Sequence, residues 1–274
     1  MDYEGRLSRV REAMRERGIA LMYLRRGANL FYLTGIKRKG PELTDNNSFG
    51  DYIHGAYITL TGGITILAPR MGASGWKKQA EGKPWITRVK ILDESERPKE
   101  ILREVIGQLN MRGKGVAIEE RAWAHTVLLF RQVMPYSKLS NASEIIEPMR
   151  MIKDSDEIEV MKKAGEITDR VYGKVVDGLE RGQSEIDVAN AIDYEFRKQG
   201  ADYNSFVTGV RFRSPNHPWI LGESPDKPRL LEDGDTISFD FGCVYDGYCS
   251  DFGRTVYVGE PPAKVQEIHD LVMT

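Results

Sequence analysis

The stretch of residues 238–256, SFDFGCVYDGYCSDFGRTV, decides how the second half of the chain folds. Its aspartates Asp240 and Asp251 lie among apolar and aromatic residues that are typical of β-strands, where carboxylates are uncommon. Asp246 and Gly247 predict a two-residue hairpin loop, because a type I′ turn requires positive φ angles that this pair tolerates. Side chains alternate between the faces of a strand, so this loop length places Asp240 and Asp251 on one face. A loop of odd length would separate them.

The pairing predicted for this hairpin gives each aspartate a glycine neighbour. Asp240 faces Gly253 and Asp251 faces Gly242. Two carboxylates on one buried face repel each other and lose hydration, so they share a proton, pair with a cation or bind a metal ion. The glycines are expected to leave space for a bound ion, and clustered oxygen ligands suit divalent ions. The alternatives are an ion pair between Asp251 and Arg254, or an aspartate that stabilises a turn.

Composition favours a two-domain protein in a reducing, cytoplasmic compartment. The chain has 274 residues and a formal net charge of −2, and a domain usually has roughly 100 to 200 residues. Residues 1–150 contain 25 basic and 17 acidic side chains (+8), whereas residues 151–274 contain 14 and 24 (−10). This balance predicts no general attraction to nucleic acid or to a membrane, and no apolar run reaches the ~18 residues of a membrane span. The two cysteines are too few for a disulfide framework.

Residues 1–148 are predicted to form an α/β domain. Leu7, Val10 and Met14 have helical spacing in RLSRVREAMRERG, and the segments IALMYL and NLFYLTG that follow are predicted to be two strands. The run AYITLTGGITILAP predicts a hairpin around its Gly-Gly pair. TRVKILD, PKEILREVIGQL, GVAIEE and AWAHTVLLFRQVM then alternate between strand and helix patterns, as in an α/β layer.

Residues 149–274 are predicted to form a second domain, which begins after Pro148. Two helical segments open it, the first with Asp154 as a capping residue and the second with Ser184. From residue 236 to residue 258 the sequence changes to a β pattern. The expected class of this domain is therefore α+β.

Three segments resemble one protein family. TISFDFGCVYDGYCSDFGRTVYVG is similar to a characteristic segment of the pita-bread metallopeptidases, which include methionine aminopeptidase, aminopeptidase P, prolidase and their relative creatinase. RLSRVREAMRERGIALMYLRRGANLFYLTG resembles the start of the N-terminal domain in the aminopeptidase P, prolidase and creatinase branch. MIKDSDEIEVMKKAGEITD resembles the start of its catalytic domain. The resemblance covers the chain nearly end to end and implies an α/β creatinase-like domain followed by the first half of an α+β pita-bread domain.

The resemblance also implies an activity, which is metal-dependent hydrolysis of an N-terminal Xaa-Pro peptide bond. Asp240 and Asp251 match the first two metal ligands, Asp251 being the one that bridges two divalent ions, manganese, cobalt or zinc. A bridging water is the nucleophile in this family, after its pKa falls towards ~7. His217 matches a histidine that contacts the substrate and stabilises the tetrahedral intermediate. The partners implied are a peptide with proline at its second position and a second copy of the chain, in a homodimer.

The chain also departs from the family. Three of the family's five ligands, a histidine in a glycine-rich stretch and two glutamates, have no counterpart after Thr255, and His269 lacks the glycine neighbours. The sequence therefore predicts a fragment or a truncated protein that binds metal weakly. Two other functions stay open, namely an inactive pita-bread module or remnant that binds a peptide or protein, and a creatinase-like C–N hydrolase. The second does not use the metal ligands, so Asp240 and Asp251 disfavour it.

Overall fold

The computed structural model describes residues 1–38, 49–109, 115–215 and 228–274. These residues form two compact units, Met1–Asp154 and Ser155–Thr274. Pro148, where the sequence analysis ends the first domain, lies inside a helix of the first unit, which also includes residues 149 to 154. Asp154 belongs with that unit because its carboxylate accepts a hydrogen bond from buried Arg6 at 2.5 Å. Within the four described ranges, no helix is long and apolar enough to cross a membrane.

The first unit contains one mixed six-stranded sheet in the order β4-β3-β2-β1-β5-β6. Strands β1, β5 and β6 are parallel, as are β3 and β4, and β2 is antiparallel to both β1 and β3. The strands are β1 (Ile19–Leu24), β2 (Gly55–Thr59), β3 (Ile64–Pro69), β4 (Ile86–Leu92), β5 (Gly115–Ile118) and β6 (Leu139–Asn141). The helices are α1 (Tyr3–Glu16), α2 (Ala28–Thr34), α3 (Ala73–Ala80), α4 (Pro98–Gln108), α5 (Ala124–Val133) and α6 (Ser143–Met151), with a 3₁₀ turn at Asp51–Ile53.

Two apolar cores, one on each face of the sheet, stabilise the first unit. Along β1, Met22 and Leu24 belong to one core, whereas Leu21 and Tyr23 belong to the other. This division follows from the alternation of side chains along a strand. All six residues of β1 are buried, as expected for a central strand covered by helices on both faces. Burial of each large apolar side chain contributes about 1.5–3 kcal/mol.

The prediction that NLFYLTG forms a strand was wrong, because this segment is helix α2. Leu30, Leu33 and Thr34 are spaced three and four residues apart, and all are buried on one face of the helix. The Thr34 hydroxyl donates a hydrogen bond to the Leu30 carbonyl at 2.7 Å, and Gly35 ends the helix in a left-handed conformation with φ 69°. A short apolar run cannot be assigned to strand or helix by periodicity alone.

The second unit combines two long helices with two antiparallel three-stranded sheets, in the orders β11-β10-β7 and β12-β9-β8. Its helices are α7 (Ser155–Asp177), α8 (Glu185–Lys198) and α9 (Ala263–Met273). Its strands are β7 (Tyr203–Asn204), β8 (Gly209–Arg213), β9 (Thr236–Phe241), β10 (Cys243–Tyr245), β11 (Tyr248–Cys249) and β12 (Phe252–Tyr257). The predicted classes, α/β followed by α+β, are therefore confirmed.

The core of the second unit lies between the long helices and one face of the β12-β9-β8 sheet. Phe239, Phe241 and Phe252 are buried in one apolar cluster with side chains from α7 and α8. Ser184 is the N-cap of α8, and its side chain and that of Asp187 form the reciprocal hydrogen bonds of a capping box. The buried residues of β9, Ile237, Phe239 and Phe241, point towards the helices, so Ser238 and Asp240 between them lie on the opposite face.

Candidate metal centre

The hairpin that carries both aspartates has the two-residue turn predicted from its sequence. Tyr245 pairs with Tyr248 across the turn. Asp246 and Gly247 have φ angles of 50° and 87°, which are the left-handed conformations of a type I′ turn. Asp246 is the only residue other than glycine with positive φ in the part of the chain that the structure describes. The turn prediction is therefore confirmed.

The register of the hairpin places Asp240 and Asp251 on the same face. Asp240 pairs with Gly253. The cross-strand residue pairs before Gly242 and those after it have the same register along the hairpin. This register places Gly242 opposite Asp251. In a regular ladder, such diagonal neighbours are about 7–8 Å apart at Cα, which allows their carboxylates to approach a common ion.

The face that carries the two aspartates is exposed, and the expectation of a buried face was wrong. The burial of β9 alternates, with Ile237, Phe239 and Phe241 buried and Ser238 and Asp240 exposed. Asp251 is exposed as well. The phenylalanines point into the core, and this alternation directs the acids outwards. Exposure removes most of the desolvation cost of placing two carboxylates side by side, so this face can accept a cation.

The expectation that Gly242 leaves room for an ion was also wrong. A Cβ atom on Gly242 would lie 2.2 Å from the Ser250 carbonyl oxygen and 2.5 Å from the Ser205 hydroxyl. Glycine is therefore required here because two backbone segments approach each other closely. Gly242 also lies where the hairpin passes from the β12-β9-β8 sheet to the β11-β10-β7 sheet.

Open space adjoins Asp240 instead, because glycines are its neighbours on both adjoining strands. Gly209 of β8 and Gly253 of β12 both pair with Asp240. A Cβ atom added at Gly253 would have the Phe239 carbonyl oxygen as its nearest neighbour, at 3.9 Å, and one added at Gly209 would meet only atoms of Asp240 itself. The residues paired with Asp240 on the two adjoining strands therefore place no side chain directly beside its carboxylate. The local sequence does not indicate this role of Gly209, because the pairing of β8 with β9 is a long-range contact.

The ion pair between Asp251 and Arg254 is not formed among the described residues. The Arg254 guanidinium lies 4.5 Å from the centroid of the Phe252 ring and donates a hydrogen bond to the Gly253 carbonyl at 2.8 Å. Arg254 pairs with buried Phe239, which places its side chain on the face opposite to Asp240. The two acids are consequently not neutralised by this cation.

A hydrogen-bond network anchors the strand next to Asp251. The Ser250 hydroxyl accepts a hydrogen bond from the Cys243 backbone N–H at 2.9 Å and lies 2.7 Å from the Thr168 hydroxyl of α7. Cys243 is buried, whereas Cys249 is exposed, so the two thiols do not form a common ligand set. On β11, the Tyr248 hydroxyl donates to the buried Glu157 carboxylate at 2.8 Å. These contacts fix the residue that precedes Asp251 to the core of the unit.

The carboxylates of Asp240 and Asp251 are suited to form part of a binding site for a hard divalent cation. Ionised aspartates provide only acceptor oxygens, and these are the ligands that manganese and similar ions prefer. No group of three or more His, Cys, Asp and Glu side chains suited to a metal occurs in residues 1–38, 49–109, 115–215 and 228–274. His217, the predicted substrate contact, lies outside the described residues. His269 is exposed on α9, next to Asp270.

Two protein families match the chain, one over each part. The Creatinase/Prolidase N-terminal domain matches residues 6–152, and Metallopeptidase family M24 matches residues 159–274. The uncharacterized peptidase YqhT of Bacillus subtilis is 35% identical over 164 residues, which are 58% of this chain and 44% of that protein. The Xaa-Pro dipeptidase of Pyrococcus furiosus is 26% identical over 98% of this chain and 69% of its own length.

Solved structures match both parts of the chain. The crystal structure of a prolidase from Thermococcus sibiricus aligns with a TM-score of 0.81 and 29% identity, covering 100% of this chain and 70% of that chain. A dipeptidase structure from Pyrococcus horikoshii aligns with a TM-score of 0.75 and 25% identity, over 97% of this chain and 69% of the other. The predicted creatinase-like domain, followed by part of a pita-bread domain, is confirmed by these matches.

Proposed function

Because the chain belongs to the family that combines the creatinase/prolidase N-terminal domain with a metallopeptidase family M24 domain, we propose that it acts in a metal-dependent exopeptidase. The reaction is hydrolysis of the peptide bond between an N-terminal residue and proline, as in aminopeptidase P or prolidase. The names of the relatives, Xaa-Pro dipeptidase and prolidase, support this substrate class. The observation that carries the proposal is the common exposed face of Asp240 and Asp251.

Asp240 and Asp251 are the metal-holding residues in this proposal. Both carry carboxylate oxygens on an exposed face, and Gly209 and Gly253 leave space around Asp240. A divalent ion, manganese, cobalt or zinc, supplies Lewis-acid polarisation of a carbonyl group and a lowered pKa for water when bound. The chain's own contribution is to hold the carboxylates. The core phenylalanines orient the strand of Asp240, and the Ser250 network fixes the residue beside Asp251.

His217 is the proposed substrate contact, on the strength of the family resemblance. A histidine beside the scissile bond donates a hydrogen bond to the oxygen that gains negative charge, which lowers the barrier by differential binding of the transition state. Replacement of one such donor typically lowers kcat by about 10²- to 10³-fold. The expected result for His217→Ala is a fall in kcat of this order, with metal affinity unchanged in a calorimetric titration. Lost metal binding would contradict the assigned role.

A test of the metal proposal compares three variants of the same hairpin. Manganese is titrated calorimetrically into the wild-type protein and into Asp240→Asn, Asp251→Asn and Asp246→Asn, and hydrolysis of Ala-Pro is measured in parallel. We expect the first two variants to lose metal binding and activity, because an amide is a weaker ligand than a carboxylate. Asp246→Asn is the control, since asparagine is suited to the positive φ of this turn. Equal losses in all three variants, or a wild-type protein that binds no manganese, would contradict the proposal.

The proposal also takes the protein to be a cytoplasmic homodimer. The cytoplasmic assignment is supported by the two cysteines, which are both free, and the dimer is supported by the family resemblance. Size-exclusion chromatography with light scattering should give a mass of twice the 31.1 kDa of the chain. A mass of one chain at micromolar concentration would refute the dimer.

A further inference from the structure

Three segments of the chain meet at Gly242, where the hairpin passes from one sheet to the other. The first segment connects β7 with β8 and contains Ser205, the second is Gly242 itself, and the third connects β11 with β12 and contains Ser250. The Ser205 N–H donates a hydrogen bond to the Gly242 carbonyl at 3.0 Å. The Ser205 hydroxyl donates to the Ser250 carbonyl at 3.0 Å. These three residues are called the junction below.

Every polar group of Ser250 takes part in a hydrogen bond at this junction. Its N–H donates to the Cys243 carbonyl at 2.8 Å. Its hydroxyl accepts from the Cys243 N–H at 2.9 Å and lies 2.7 Å from the Thr168 hydroxyl. Its carbonyl accepts from Ser205. Because this carbonyl belongs to the planar peptide group that joins Ser250 to Asp251, the Ser205 hydroxyl fixes the orientation of that peptide group.

The position of the Asp251 carboxylate depends on the backbone on either side of it. Within the four described ranges, this carboxylate accepts no hydrogen bond and forms no ion pair. On the C-terminal side, Phe252 is buried in the core of the unit and pairs with Phe241. On the N-terminal side, the backbone is held by the junction. A rotation of the peptide group between Ser250 and Asp251 would therefore displace the carboxylate.

The segment that contains Ser205 is held in turn by helix α8. The Asp193 carboxylate of α8 accepts hydrogen bonds from the Asn204 amide at 2.6 Å and from the Thr208 hydroxyl at 2.5 Å. The Asn204 amide also lies 3.2 Å from the Thr208 hydroxyl. The two long helices therefore both hold the junction, α8 at the segment of Ser205 and α7 at the hydroxyl of Ser250.

We propose that Ser205 is a positioning residue for Asp251, and that the junction makes the candidate metal centre selective for manganese over the larger calcium ion. This inference rests on the proposed function, because it takes Asp240 and Asp251 as the metal-holding residues. Calcium accepts flexible arrangements of oxygen ligands at about 2.3–2.6 Å, whereas smaller divalent ions require shorter bonds and a stricter geometry. Ligands that are held in place discriminate between ions by size, and ligands that can move adapt to either ion.

A competing role for Ser205 is stabilisation of the fold alone. A Cβ atom on Gly242 would lie 2.5 Å from the Ser205 hydroxyl, so this hydroxyl is also part of the packing of the junction. A loss of stability lowers the fraction of folded protein, which reduces the apparent affinity for every ion by the same factor. The ratio of the affinities for manganese and calcium then stays unchanged. This ratio therefore distinguishes the two roles.

The experiment titrates manganese and calcium calorimetrically into the wild-type protein and four variants. Ser205→Ala and Thr168→Val each remove one hydroxyl, and Thr168→Ser keeps it. The matched control is Ser140→Ala, because the Ser140 hydroxyl also donates to a backbone carbonyl, that of Val116 in the first unit. We expect Ser205→Ala to lower the affinity for manganese by about 3- to 10-fold, as for one lost hydrogen bond between neutral groups, and the affinity for calcium by less than about twofold. Thr168→Val should change the ratio in the same direction.

The outcomes separate a failure of this inference from a failure of the proposed function. A lower ratio in Ser205→Ala and Thr168→Val, with the wild-type ratio in Thr168→Ser and Ser140→Ala, supports the positioning role. Equal losses for the two ions, an unchanged manganese affinity in Ser205→Ala, or an equal effect of Ser140→Ala overturns this inference alone. A wild-type protein that binds neither ion overturns the proposed function as well. In the metal-free protein, amide exchange at Ser250 should be faster in Ser205→Ala than in the wild type, and an unchanged rate also overturns the inference.

Discussion

His54 is a buried imidazole in the first unit, and it makes stability depend on pH. Burial lowers its pKa to about 4, and its Nε2 has no hydrogen-bond partner among the described residues. In the unfolded chain the pKa is near the ordinary 6.5, so between pH 6.5 and pH 4 the unfolded state binds more protons than the folded state. Stability is therefore greatest above pH 6.5 and falls as the pH is lowered towards 4.

We expect the substitution His54→Phe to remove this loss of stability. From pH 6.5 to pH 5 the wild-type protein should lose about 2 kcal/mol of unfolding free energy through His54, because each pKa unit corresponds to ~1.4 kcal/mol. Urea unfolding followed by tryptophan fluorescence at the two pH values measures the difference. His269→Gln is the control, because that histidine is exposed. An unchanged pH dependence in His54→Phe would show that the imidazole is not buried in its neutral form.

Glu119 has the opposite effect over an overlapping pH range. Burial raises its pKa from the ordinary 4.5 to about 7. Hydrogen bonds from the Arg25 backbone N–H at 2.9 Å and from the Asn29 amide at 3.1 Å favour the ionised form and limit the increase. The folded state therefore binds more protons than the unfolded state between pH 4.5 and pH 7. The Glu119 contribution to stability is largest at pH 4.5 or below and decreases as the pH rises through 7.

The substitution Glu119→Gln should make this contribution independent of pH. Relative to the wild type, we expect the variant to gain unfolding free energy as the pH rises from 5 to 8, by an amount on the order of 1–3 kcal/mol. The neighbouring exposed Glu120, changed to glutamine, is the matched control. Urea unfolding at pH 5 and pH 8 measures both variants. If the unfolding free energies of Glu119→Gln and of the wild type changed equally between the two pH values, the raised pKa of Glu119 would be contradicted.

Gly242 and Gly253 lie in the same hairpin and make a matched pair at the scale of the secondary-structure element. A Cβ atom at Gly242 would meet the Ser250 carbonyl at 2.2 Å, whereas at Gly253 the nearest atom lies at 3.9 Å. We expect Gly242→Ala to lower the unfolding free energy by about 1–3 kcal/mol, the usual range for overpacking, and to weaken manganese binding by displacing the strand of Asp251. Gly253→Ala should be tolerated. Thermal unfolding and metal titration of the two variants test this, and equal effects would contradict it.

The sequence predicts the local features of these elements well and the long-range features less well. The Asp246-Gly247 turn and the Ser184 cap depend on neighbouring residues, so their signals are contained in the sequence. The α2 segment was predicted to be a strand because its sequence is a short apolar run and one of its partners, α6, is distant in the chain. The crowding at Gly242 was interpreted as free space, because Ser250 and Ser205 are brought close to it only by the folded hairpin and by a long-range contact. That the two aspartates share one face was predictable from the even number of residues in the turn. Their exposure was not, because it depends on which face of the sheet packs against the core.

At the scale of the whole molecule, the two units have separate cores and opposite charges. The apolar clusters of the first unit contain residues 7–149, and the cluster of the second unit contains residues 164–258. Counted by unit, residues 1–154 contain 26 basic and 18 acidic side chains (+8), and residues 155–274 contain 13 and 23 (−10). We propose that the boundary of the first domain follows Asp154 rather than Pro148.

Expression of residues 1–154 alone tests this boundary. We expect a monomeric, cooperatively unfolding protein with the helix content of α1 to α6, because both of its cores are complete. Residues 1–148 should be less stable, because they lack Asp154, the partner of buried Arg6. Circular dichroism during urea unfolding compares the two. Equal stability of both proteins would mean that this ion pair does not define the boundary.

On the exposed face of the β12-β9-β8 sheet, Arg211 pairs with Ser238, two residues before Asp240, so side chains of opposite charge lie in adjacent rows. A dipeptide at neutral pH is a zwitterion without net charge, so it gains little from the long-range attraction that steers charged ligands. Its association with this face depends on short-range contacts instead. Binding of such a ligand should therefore change less with salt concentration than binding of a ligand that carries a net charge.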